Sequence, residues 1–107
     1  GREVKGFAMM CREEEKLTGA VSFNIGEGGA YIEALRTDKE EMTYVVFVSA
    51  LNFLELHGIY DVYTNLKEYE ALNRAMKFIP CDEGPIEKKD GYLARVDLKG
   101  YFTKEEH

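Results

Sequence analysis

At 107 residues the chain is long enough to bury one core and too short for two domains. Apolar side chains make up 45% and charged ones 32%, the balance of a folded domain and not of a disordered segment. The 20 acidic and 14 basic side chains leave a formal charge of -6, which repels nucleic acid and anionic lipid; Lys88, Lys89, Arg2 and Lys5 are too scattered to offset it.

In chain order, residues 5–12 (KGFAMMCR) are apolar and bounded by charge, as in a buried or half-buried strand. REEEK at 12–16 reads as a solvated hairpin tip. Residues 19–25 alternate Val21, Phe23 and Ile25 with Ser22 and Asn24, the period of a strand with one face in a core. Gly26, Gly28 and Gly29 supply the positive φ of a tight reversal, and residues 30–35 (AYIEAL) pair back as a third strand. These glycines lie between two strands, so they form a turn and not a phosphate loop.

Thr37 and Asp38 are N-cap residues with Glu40 and Glu41 three positions on, so a capping box is expected to start a helix over 42–57. Gly58 is placed to end it. Apolar residues surround most of its middle, 44–56, which points to cover by more than one neighbour: the sheet alone or a second subunit as well. The same stretch is broken by Ser49, Asn52 and Glu55 and is too short to cross a bilayer. Residues 59–64 (IYDVYT) form a further strand, joined to the third by a right-handed parallel crossover. Asn65 is expected to cap a second helix, with Leu66, Tyr69, Leu72 and Met76 on one face and Phe78 at its end. Pro80 and Pro85 mark a loop, EKKDG at 87–91 a turn, and 92–98 (YLARVDL) a last strand. Cys11 and Cys81 have no metal or redox spacing, and without a secretory signal they suit a reducing compartment such as the cytoplasm. No nucleic-acid, membrane or metal partner is expected.

An antiparallel meander, then strand–helix–strand–helix and a final strand, is the order of an α/β (α+β) mixed sheet. It resembles the GNAT superfamily of acetyl-CoA-dependent N-acetyltransferases, through AYIEAL, ALNFLELHG, YDVYTN and ALNRAMKF within residues 30–78. The resemblance implies an acyl-CoA N-acyltransferase-like fold as a single domain over 1–107, without the strand and two helices that precede the meander in the family. It implies acetyl-CoA as substrate, held by the end of the third strand (Leu35, Arg36, Thr37), the helix start (Met42, Thr43) and Asn65. The acceptor amine is left open.

In the family, the first helix opens on R/Q-x-x-G-x-G/A, whose glycines let free N–H groups approach a pyrophosphate. Here Asp38 stands at the Arg or Gln, Glu41 at the first glycine and Thr43 at the second small residue. Carboxylates there would satisfy the helix start from within and repel phosphate, with Lys39 offsetting one of them. The later motif, N-x-x-A-x-x-L-Y-x-x-x-G-F, is matched at Leu72 and Phe78, but Asn73 replaces the tyrosine that can protonate the thiolate, and Lys77 the glycine. The candidate catalytic positions are therefore Glu33, where some members place a base, Asn73, and Tyr69 one turn earlier. Asn73 can form hydrogen bonds but cannot act as an acid. Each has a structural alternative: a solvent-facing carboxylate for Glu33, a core position for Tyr69. His57 reads as a helix-end residue. Two functions are consistent with this pattern: an acetyl-CoA-dependent N-acetyltransferase with a divergent coenzyme loop, or a catalytically inactive binding or oligomerisation module, such as a homodimer.

Overall fold

Alternation between Gly19 and Ile25 becomes a strand with one face inward: Val21 and Phe23 are each 1% exposed, whereas Ser22 and Asn24 are half-buried. The fold is that of a computed structural model. It describes residues 5–13, 16–26 and 28–102; at 5, 7, 11–13 and 16–18 only the backbone is described. The hairpin tip expected at 12–16 lies outside that set at 14–15, as does the Cys11 thiol.

Strand β1 (Lys5–Glu13) pairs antiparallel with β2 (Lys16–Gly26), Glu13 opposite Lys16. β2 pairs antiparallel with β3 (Gly29–Thr37), and Gly26 faces Gly29 across the expected glycine turn. Gly29 has φ +128°, and a Cβ there would come within 2.2 Å of the Asp61 carbonyl oxygen. Turn and neighbouring strand thus both require glycine at this position. Helix α1 (Glu40–Leu56) then crosses to β4 (Asp61–Thr64), which lies parallel to β3. A single 3-10 turn (Lys67–Tyr69), helix α2 (Glu70–Ala75), β5 (Ile79–Pro80) and β6 (Ala94–Asp97) complete the order. The mixed sheet has the order β1-β2-β3-β4-β6-β5.

The core lies between the sheet and α1. Val46, Phe47, Ala50, Leu51 and Leu54 pack with Val21, Phe23, Ile32 and Val62, and Phe47 stacks on Phe78 at 5.7 Å. Gly58, at φ +76°, closes α1: its N–H bonds the Glu55 carbonyl, and the Ile59 N–H bonds that of Leu54. The Lys89–Tyr92 turn is equally legible, with Asp90 and Gly91 both at positive φ between two reciprocal backbone bonds.

Three sequence expectations are corrected. The capping box does not form, because β3 keeps pairing as far as Thr37, opposite Gly19. The helix is capped later, with extended Lys39 as N-cap and no side-chain cap bond. The second helix is also shorter than expected: Leu66 precedes a 3-10 turn, and Asn65 does not cap it but donates to the Glu87 carbonyl at 2.8 Å, tying down the loop. Pro80 belongs to an edge strand, where its missing N–H leaves no ladder bond unmade. The sheet covers one side of α1, and Tyr44, Val45 and Leu56 are exposed on the single chain. Among the described residues no helix is long and apolar enough to cross a membrane.

Candidate functional site

β3 and β4 run side by side only from Ala30 to Ile32 and from Val62 to Thr64. β4 ends there and the chain turns away into the 3-10 turn, while β3 continues to Thr37, paired only with β2. The register of β2 and β3 shifts between Ser22 and Phe23, a bulge that takes up Glu33 and bends β3 where it leaves β4. A cleft therefore opens along the free edge of β3, between the start of α1 and the 3-10 turn with α2.

The mouth of the cleft is a cavity of about 330 Å³ lined by Glu40, Thr43 and Tyr44 on one side and Glu68, Tyr69 and Leu72 on the other. Its carboxylates make the mouth acidic. The helix start beside it differs from what the sequence suggests. Asp38, Glu40 and Glu41 are exposed, and no side chain caps the helix, so the carboxylates do not fill the site from within. The N–H groups of Glu40 and Glu41, which open α1, have no side-chain cap and can meet an anion. Arg36 and Lys39 are close by in the chain, and both are exposed.

The other candidate residues separate into engaged and free. Thr37 and Thr43 bond each other through their hydroxyls at 2.7 Å, tying the end of β3 to the first turns of α1. Leu35 offers its carbonyl to the cleft, where the Tyr69 phenol already donates to it at 2.9 Å. Tyr69 also packs against the core, so it is at once a core residue and a cleft residue. Met42 is half-buried and its N–H bonds the Lys39 carbonyl at 3.0 Å. Asn65 faces the 82–89 loop and not the cleft, through its bond to Glu87.

Asn73 is 1% exposed; its amide donates to the Tyr92 hydroxyl at 3.1 Å and to the Leu66 carbonyl at 3.4 Å. It braces α2 against the last strand region and presents no group to the cleft. Glu33 is exposed and accepts a hydrogen bond from the Asn24 amide. His57 bonds the Phe53 carbonyl at 2.8 Å and lies 4.2 Å from the Phe53 ring, which makes it a helix-end residue. Sequence reasoning missed Asn24 as the partner of Glu33, although its place two residues from Ser22 on the polar face of β2 is visible in the alternation. Among the described residues no three metal-ligating side chains cluster.

No protein-family model matches the sequence, and a search of curated proteins finds no match. Solved structures do share the architecture. The PaiA N-acetyltransferase of Thermoplasma acidophilum, in complex with coenzyme A, superimposes with a TM-score of 0.65 at 11% identity, over 87% of this chain and 61% of that one. An N-acetyltransferase of Staphylococcus aureus Mu50 gives 0.66 at 13% identity, over 87% and 68%. A GNAT-family acetyltransferase of the same organism gives 0.68 at 11% identity, over 88% and 68%. The chain thus spans less than two thirds of the Thermoplasma enzyme it matches. What these likenesses establish is that the chain has the fold of the GNAT acetyltransferases.

Proposed function

We propose that the chain is an acetyl-CoA-dependent N-acetyltransferase with a divergent coenzyme loop. The observation that carries this reading is the separation of β3 from β4 beside an uncapped helix start. An amide-bearing arm such as pantetheine can lie along the free edge of β3 near Leu35 as an added strand would. Phosphate groups would be met by the first N–H groups of α1 with Arg36 and Lys39, against the opposing charge of Asp38, Glu40 and Glu41. The bound thioester supplies an activated acyl group. Thiols ionise near pH 8.5, far below alcohols, so the thiolate can depart as the anion and take its proton from water, which accommodates asparagine at position 73. In this reading Glu33, which accepts a hydrogen bond from Asn24, would take a proton from an ammonium acceptor. Calorimetric titration with acetyl-CoA tests the reading: weak but saturable binding is expected, and no heat at millimolar ligand rejects it.

A second reading, an inactive oligomerising module, is favoured by the exposed Tyr44, Val45 and Leu56 on α1 and by the structural employment of Asn73. It requires a stable dimer by light scattering at tens of micromolar; a monomer discards it.

A further inference from the structure

Beyond Ile32 β3 has no partner on the side of β4, and the protein itself holds one carbonyl of that stretch. Tyr69 ends the 3-10 turn, fixed there by its own N–H bond to the Leu66 carbonyl at 3.0 Å. From that position its phenol crosses the cleft and donates to the Leu35 carbonyl at 2.9 Å, the one contact between that turn and β3 made by a side-chain hydrogen bond among the described residues. A strand partner would satisfy this carbonyl with a backbone N–H; here β4 has already ended at Thr64. The phenol therefore substitutes for the missing strand. It also lines the 330 Å³ cavity.

We propose that Tyr69 is an internal latch on this cleft: the phenol occupies the Leu35 carbonyl that an entering amide chain would use, and a ligand binds by displacing it. The proposal rests on the reading of the cleft as a coenzyme site and adds to it a built-in competitor. The latch is a rotamer change of one side chain, since Tyr69 sits at the junction of a 3-10 turn and α2, with the backbone held independently through Leu66. Loss of the phenol leaves the carbonyl unsatisfied in the empty protein and free for the ligand, so binding gains what the internal bond gave up. A tyrosine kept only for packing would behave in the opposite way: removing its bond would loosen the site and weaken binding or leave it unchanged.

The test compares the wild-type chain with Tyr69→Phe by calorimetric titration, using acetyl-CoA and, separately, pantetheine, which carries the amides without the phosphates. Tyr69→Phe is expected to bind both about fivefold more tightly, the worth of one released hydrogen bond. Tyr69→Leu, which also removes the ring, is expected to bind pantetheine at least as tightly as Tyr69→Phe. Binding that persists but is unchanged or weaker in both variants overturns the latch and leaves the coenzyme site standing. A gain seen with acetyl-CoA but not with pantetheine overturns it too, because the effect would then belong to the phosphates. Absence of binding in all three proteins overturns both the latch and the function it rests on.

Discussion

Helices α1 and α2 flank the same cleft and close in the same way. At the end of α1, Gly58 has φ +76° and the next residue bonds back to Leu54; at the end of α2, Lys77 has φ 76° and Phe78 bonds back to Asn73 at 2.9 Å. The backbone is the same left-handed cap, but one position carries the residue that fits it and the other a side chain that strains it. Their inner faces differ as well. α1 meets the sheet with apolar side chains alone over Val46, Phe47, Ala50, Leu51 and Leu54, whereas α2 is anchored by a buried amide, Asn73. A helix of 17 residues is held by area; one of 6 residues depends on individual bonds and on the cap that closes it.

If that contrast is right, the largest loss should come from the shorter helix. Asn73→Ala removes a fully buried amide and leaves the Tyr92 hydroxyl without its donor, so urea unfolding should show a loss of about 2–3 kcal/mol. A loss below that of an exposed surface site would mean α2 is held by something else. The two caps give a paired experiment. Gly58→Ala meets no atom within 4 Å, so it reports backbone strain alone and should lose about 1–2 kcal/mol. Lys77→Gly should move the other way and gain about 0.5–1 kcal/mol. Equal signs for the two would break the comparison.

Tyr101 ties the end of the chain to α2 by donating to the Met76 carbonyl at 2.7 Å. Burial, and secondarily the nearby Tyr44, raise its phenol above the usual value of 10. The folded state therefore favours the neutral phenol. Its contribution is complete below pH 10 and is lost as pH rises from there through the folded-state value, because the unfolded chain ionises first. The wild type should thus lose stability more steeply than Tyr101→Phe in alkaline denaturation, and parallel curves would refute this. The smallest effect is expected from the last turn of α1, where Glu55 is buried, 8% exposed, at the negative end of the helix dipole with no basic residue in that turn. Glu55→Gln should raise stability by about 0.5 kcal/mol, seen as a small rise in thermal midpoint.

Much of this contrast is legible in the sequence. The alternation from Gly19 to Ile25, the glycine turn, the length of α1 and its Gly58 stop arise from local pattern, since each depends on neighbours within one turn or one strand. The stripe of Leu66, Tyr69, Leu72 and Met76 is also visible, and all four meet the core. The α2 cap is harder to read, because lysine is not a residue that announces a left-handed position.

What the sequence determined by itself was the order of elements and which faces turn inward, because hydrophobic period and turn residues act locally. Tertiary structure decided everything that depends on two segments meeting. Pairing with Gly19 carried β3 through Thr37 and removed the cap expected at Asp38, so the helix start expected to be filled by carboxylates is left uncapped. The early end of β4 opened the cleft, and Tyr69, read as stripe or acid, became the hydrogen-bond partner of Leu35 across 34 residues of chain. Asn73, a substituted catalytic position in the pattern, donates to Tyr92, which arrives opposite it from a later part of the chain. Such pairings are set by strand register and packing, which no local propensity encodes.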